Sequence, residues 1–152
     1  IFSKQHTHHY ITGYKMFLDN KGFGVGIKNF RNFCDNPKYK VSYLSCSTHP
    51  HNTYIQILSE TGTIGFLFLI FGLIFFSYHV LKHFYLKLKK KQYFNDFEIC
   101  ILSGIFIYVW PFAPTGNVFN NWLNIIFILY FPLLLWSRKL NQKIDVYKST
   151  NS

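Results

Sequence analysis

Two imidazoles stand one residue apart in Thr48-His49-Pro50-His51-Asn52-Thr53-Tyr54. A carboxylate and two glycines follow in Glu60-Thr61-Gly62-Thr63-Ile64-Gly65, directly before an apolar run. Histidine is the side chain whose ordinary pKa lies nearest neutrality, so His49 or His51 can take a proton in a reaction near neutral pH. Pro50 disfavours helix at His49 and turns or extends the backbone there. Thr53 to Ser59 can then become helical, and Gly62 and Gly65 suit a tight re-entry that bulkier side chains would obstruct. Taken alone, a His-x-His pair is more often a polar loop whose imidazoles cap a helix end, because so short a signal recurs by chance.

A longer pattern surrounds the pair. His51-Asn52, nine residues, Gly62, two residues, Gly65 resembles the periplasmic histidine motif of the O-antigen ligase and polymerase superfamily. The fuller form His-x-His-Asn-x-Tyr followed by Glu-x-Gly is matched at His49, His51, Asn52, Tyr54, Glu60 and Gly62. Upstream, Gly24-Val25-Gly26 and Asn29-Phe30-Arg31 are similar to that family's Gly-Val-Gly and Asn-Phe element. Downstream, Pro114-Thr115-Gly116 and Phe119-Asn120-Asn121-Trp122 resemble its last outer loop. The likeness runs in order over roughly residues 5 to 137, which makes it more specific than any one motif. It implies an all-α polytopic integral membrane protein and a metal-independent glycosyltransferase that needs no cofactor.

Composition agrees with a bilayer setting. The 152 residues are one domain's worth of chain, 21% aromatic and 49% hydrophobic, with the apolar residues gathered in runs. The chain does not begin with methionine, and Ile1-Phe2 reads as the end of a cut helix. The expectation is therefore the C-terminal portion of a longer membrane protein. A net charge of +10 raises nucleic acid as a partner. The lysines, however, sit in blocks beside apolar runs, as membrane topology demands, so no nucleic-acid partner is expected. No N-terminal signal peptide is visible, the apolar runs lying too far along the chain.

Residues 3 to 20 carry Tyr10, Ile11, Tyr14, Phe17 and Leu18 at helical spacing, which predicts a short amphipathic helix at the membrane surface or over a cavity. Gly22, Gly24 and Gly26 predict a tight turn, then helix from Ile27 to Phe33. The turn lacks the third glycine and preceding strand of a dinucleotide fingerprint. Ile64 to Leu81 is an apolar run of about eighteen residues, roughly 27 Å as helix. Lys82, Lys87, Lys89, Lys90 and Lys91 follow it at once. Ile99 to Ala113 predicts a short or kinked second span, and Trp122 to Trp136 a third, bracketed by tryptophans and kinked at Pro132. The organisation expected is a periplasmic region over 1–63 holding the histidine motif, three transmembrane helices over 64–137, and a basic cytoplasmic tail over 138–152. Both basic blocks belong inside, which sets His51 on the periplasmic face of a bacterial inner membrane. The seven basic residues before the first span sit awkwardly with that rule, but they are spread over about sixty residues, where it loses force.

The remaining chemistry has two readings at most positions. Arg31, the one arginine outside the tail, can simply meet lipid phosphate. Its place in the matched element implies contact with a substrate diphosphate, for which guanidinium offers a planar fork of donors and a permanent charge. The family's usual upstream arginine falls near His6, a departure that leaves a donor whose charge depends on pH. His6, His8, His9, His49 and His51 share one side of the membrane and raise zinc, but their spacing fits no zinc signature and no metal is expected. Cys34 and Cys46 lie in an oxidising compartment, where a bridge would close a loop of about a dozen residues and add about 3 kcal/mol; two unrelated buried thiols are the alternative. Cys100 reads as packing within a span. His79 and His83 read as snorkelling or helix-end groups. Glu60 would orient His51 or cap the chain near Gly62.

By resemblance, the chain transfers saccharide from an undecaprenyl-diphosphate-linked donor to a lipid A core or glycan acceptor. His51 would be the catalytic base, with Arg31, His49, Asn52, Tyr54, His6 and Glu60 binding substrate. A protein O-oligosaccharyltransferase of the same superfamily is a close variant. The rival class is a non-catalytic membrane anchor or subunit with a structural histidine loop. The 152 residues alone are expected to be inactive, because the donor groove needs further helices.

Overall fold

A computed structural model describes residues 3–112 and 114–150, and the side chains of these except 121, 123, 142 and 144–150. Ile1 and Phe2, read above as a cut helix end, and Ala113, at the end of the second expected span, lie outside the described residues. The described residues form five helices and no strand: α1 Lys4–Asp19, α2 Phe30–Phe33, α3 Thr53–Leu88, α4 Asp96–Tyr108 and α5 Asn121–Thr150. They pack as two compact units, residues 1–78 with 111–123, and residues 79–110 with 124–152.

In the first unit, Ser3 caps α1 by accepting the His6 N–H at 3.3 Å, satisfying a donor the first helical turn leaves free. The face that α1 buries is His9, Thr12, Gly13 and Met16. The apolar stripe is turned outward, with Ile11, Tyr14 and Leu18 exposed. Gly13 lets α1 lie against α3: a Cβ there would stand 2.7 Å from the Ile55 side chain. Met16, Phe30, Cys34 and Tyr39 form the small apolar core, with Val25 packed on it. Helix α2 is shorter than the expected Ile27–Phe33. Gly26 (φ 96°) and Lys28 (φ 61°) hold the chain in left-handed turns until Asn29. Cys34 and Cys46 are joined in a disulfide, their Cα atoms 5.0 Å apart.

Helix α3 begins earlier than the apolar run and is broken inside. Asn52 caps it, its Oδ1 accepting the N–H groups of Tyr54 at 3.0 Å and Ile55 at 3.1 Å. Gly62, at φ 66° and ψ −159°, then interrupts the helical dihedrals. The interruption frees backbone groups, and the glycine turn takes them up. Val25 and Gly26 donate to the carbonyls of Ser59 (2.9 Å) and Glu60 (3.0 Å), while Thr63 and Ile64 donate to those of Lys21 (2.7 Å) and Gly22 (3.3 Å). So close a backbone approach excludes side chains on both partners. A Cβ on Gly62 would lie 2.4 Å from the Gly22 oxygen, and one on Gly24 the same distance from the Glu60 carbonyl carbon. Beyond Gly62, α3 exposes Phe68, Phe71, Ile74, Phe75 and Leu81. Among the described residues α3 is the one helix long and apolar enough to cross a membrane.

In the second unit, Asn95 and Glu98 form a reciprocal capping box that starts α4. Arg138 lies 3.4 Å from the buried Glu98 and packs over the rings of Tyr93 and Phe94. Gly104 faces Tyr130, where a Cβ would meet the ring at 2.9 Å, and Tyr108 stacks on Phe127. His83 accepts the Phe94 N–H at 3.2 Å, and His79 Nδ1 lies 2.7 Å from the Tyr93 hydroxyl. At 13 residues α4 is shorter than a bilayer crossing requires. Helix α5 carries Pro132 internally and continues past Trp136 to Thr150, through most of the segment expected as a basic tail.

Candidate functional site

The histidine loop bends because Pro50 precedes a residue held in an unusual conformation. His51 has φ 57°, a left-handed geometry uncommon for any residue but glycine and costing about 1–3 kcal/mol. Thr115 holds it there: its N–H donates to the His51 carbonyl at 3.0 Å, and its own carbonyl accepts from His49 Nε2 at 3.2 Å. His49 is thereby fixed with a proton on Nε2, and its Nδ1 faces the Thr48 hydroxyl at 2.9 Å. Asn52 donates to the Pro111 carbonyl at 2.9 Å, and Thr53 to the Thr115 hydroxyl at 3.1 Å. Pro111 and Thr115 thus clamp the loop at the start of α3.

Four imidazoles converge as a result. The His51 ring centroid lies 4.1 Å from that of His49, 5.4 Å from His9 and 5.6 Å from His6. His51 Nε2 is 2.9 Å from the Ser47 hydroxyl, and His6 Nδ1 is 3.1 Å from that of Ser3. His9 is fully buried, and neither ring nitrogen has a hydrogen-bond partner; the Cys46 carbonyl approaches it without bonding geometry. Burial, then repulsion from His49, His9 and His6, pushes the His51 pKa down to about 4. Burial likewise lowers His9, with His6 adding to the effect. His49 is lowered by burial and by Arg31, partly offset by the Thr115 carbonyl and by Glu60. All three rings are neutral at neutral pH. No group of three or more His, Cys, Asp or Glu side chains among the described residues has the arrangement of metal ligands.

Arg31 is exposed on α2 and close enough to His49 to act on its charge. Its position is set by Glu60. That carboxylate is fully buried, and its two oxygens accept the N–H groups of Lys28 and Phe30, both at 3.0 Å, and the Gln56 amide at 3.2 Å. Gln56 in turn donates to Asn117 at 2.8 Å and accepts the Val118 N–H at 3.0 Å. One buried chain of polar groups therefore joins the Arg31 turn, α3 and the segment 111–118.

Of the residues picked from sequence, the structure brings His6, His49 and His51 together, with Arg31 nearby. Glu60 stands against the glycine turn, with its oxygens committed to Lys28, Phe30 and Gln56. Asn52 is equally committed, as helix cap and as donor to Pro111, and Tyr54 lies half-buried in the first turn of α3. The bridge of Cys34 to Cys46 ties the end of α2 to the approach of the histidine loop. His8 turns away, its Nδ1 2.6 Å from the Ser42 hydroxyl. Sequence reasoning weighed His9 only as a metal ligand, although its i+3 spacing from His6 puts both on one helix face. Ser47, Gln56 and Asn117 carried no signal.

Residues 4–70, a little under half of the chain, match the family model described as O-antigen ligase. No curated protein and no solved structure matches the chain. The matched segment holds the histidine loop, Arg31, Glu60 and the paired glycine turns, and over it the chain is similar to the O-antigen ligase superfamily, a membrane-associated family of glycosyltransferase type.

Proposed function

We propose that the chain carries the acid–base and diphosphate-binding half of a membrane glycosyltransferase that uses an undecaprenyl-diphosphate-linked saccharide as donor. His51 removes the proton from an acceptor hydroxyl, and that oxygen attacks the anomeric carbon of the donor sugar. The C–O bond to the diphosphate breaks, and Arg31 steadies the departing anion. The leaving group is already a stable anion, so charge stabilisation matters more than protonating it. The observation that carries this reading is the His51 ring: neutral, partly exposed, held on a strained backbone and clustered with His49, on which the exposed Arg31 guanidinium acts. Strain of this kind persists only where surrounding structure enforces it, and it concentrates at active sites. His49 fixes the loop through Thr115, while His6 lines the same cluster.

The acceptor belongs to the lipid A core, a second lipid-linked glycan or a protein; the donor half of the reaction is common to all three. In this reading the chain crosses the inner membrane at α3, at the short α4 together with the residues that follow it, and at α5; the basic blocks lie in the cytoplasm, and the histidine loop faces the periplasm. The commitment of His49 and Asn52 to structural bonds favours a second reading, a non-catalytic subunit whose histidine loop is a brace.

Transfer of saccharide from lipid-linked donor in membranes carrying the protein separates the two. His51→Ala should cost about 10²–10⁴ in rate at unchanged protein level, the usual scale for a positioned proton acceptor. Arg31→Lys should lose part of the activity, keeping the charge but not the forked contact. Full transfer by His51→Ala at equal protein level returns the loop to the structural reading.

A further inference from the structure

Crowding four imidazoles is unfavourable for any proton among them unless something negative joins the cluster, and the surroundings supply little that is negative. The side-chain partners of the rings are the hydroxyls of Ser3, Ser47 and Thr48, which can turn to donate or accept in either protonation state. Among the described residues no carboxylate bonds any of the four rings. Glu60 acts on His49 only at a distance, and its oxygens are committed to Lys28, Phe30 and Gln56. The other charged group facing the cluster is Arg31, from α2, and it opposes protonation of His49. From α1, His8 opposes protonation of His9, and the Tyr10 ring stacks on His6. Two fully buried ring nitrogens of His9 also stand without partners, which is costly for polar atoms unless a ligand or water completes them.

We propose that the imidazoles of His6, His9, His49 and His51 are the seat of the donor's diphosphate, and that seating it draws about one proton from solvent onto the cluster. The proposal rests on the donor reading above. A diphosphate diester carries two negative charges, and Arg31 supplies one permanent positive charge. The cluster supplies the second by taking up a proton when the anion arrives. An opposite charge within about 4–6 Å moves an ionisable group by about 1–3 pKa units. Two such charges bring His51 from about 4 back toward neutrality, where a general base works best. Without the anion the imidazoles of His9, His49 and His51 stay neutral, and the base becomes effective only when donor is present.

The test uses the full-length protein in nanodiscs of a zwitterionic lipid. The probe is dimethyl diphosphate with one methyl on each phosphorus, which does not itself titrate near neutrality. Calorimetric titration in buffers of different ionisation enthalpy counts the protons taken up. The expected result is uptake of about one proton per diphosphate near neutral pH, with Kd tightening up to about tenfold for each pH unit lowered. Ring nitrogen shifts in histidine-labelled protein should move toward imidazolium on adding the probe. His9→Gln should reduce the uptake, and Arg31→Gln should weaken binding while leaving uptake in place. Because the nitrogen shifts are read in the wild-type chain, a misfolded variant does not remove the test. Binding with the same enthalpy in every buffer and a pH-independent Kd overturns the proposal and leaves the donor reading standing. No binding of the probe overturns both.

Discussion

Replacing Gly62 with alanine tests the interlock that positions Arg31 against the histidine loop. Gly62 sits at φ 66° and ψ −159°, a region almost confined to glycine, where another residue costs about 1–3 kcal/mol. The added Cβ would also stand 2.4 Å from the Gly22 oxygen and 2.6 Å from the Gly24 nitrogen, both backbone atoms with no rotamer to escape into. Relief requires the glycine turn to move off α3, and that breaks some of the four hydrogen bonds linking residues 21–26 to 59–64. At about 0.5–1.5 kcal/mol per bond, strain and lost bonding together come to on the order of 3–6 kcal/mol. That is a large part of a typical domain's stability. Hydrogen exchange should show the amides of Val25, Gly26, Thr63 and Ile64 losing protection, and thermal melting should fall by roughly 10 °C or more. Transfer activity should fall with them, because Arg31 follows the turn. Gly72→Ala is the control: nothing lies within 4 Å of its Cβ position, so the same assays should barely change. Unchanged protection of Val25 and Gly26 in Gly62→Ala would refute the interlock.

Further outcomes follow from the same geometry. The folded state holds His51 neutral down to about pH 4, while the unfolded chain protonates near 6.5, so unfolding takes up protons between these values. Stability should therefore decline as pH falls from about 6.5 toward about 4, and a His51→Gln variant should show a flatter decline in pH-dependent melting. Mass mapping without reduction should recover the Cys34 and Cys46 peptides linked; Cys46→Ser should cost about 3 kcal/mol of stability, and free thiols on both residues would reject the bridge. For topology, an impermeant thiol reagent added outside should reach a cysteine placed at Thr48 or Asn117 but not one at Gln92 or Lys143. Labelling at Gln92 would overturn the periplasmic placement of the loop.

Much of the local structure was legible along the chain. The apolar run from Ile64 and the glycine pairs each act through neighbours in sequence, so periodicity and backbone preference suffice to read them. Helix limits were legible in part. Thr53 to Ser59 reads as helical and α3 does begin at Thr53, whereas α2 starts only at Phe30, because the left-handed turns at Gly26 and Lys28 delay it.

What the sequence determined by itself was a chemical inventory: neutralisable imidazoles at 49 and 51, a permanent cation at 31, and glycines where a backbone must come close. Tertiary structure decided which of these meet. It buried the His9 face of α1 and turned the apolar stripe outward, a choice periodicity does not make, because it registers the stripe and not what each face packs against. It spent Asn52 and Glu60 on holding the backbone, since buried N–H groups near a broken helix must find acceptors. It also gathered His6 and His9 around His51 across more than forty residues of chain. The resulting neutral charge state of His51 is a property of that enclosure, because burial and mutual repulsion exist only once the rings are together.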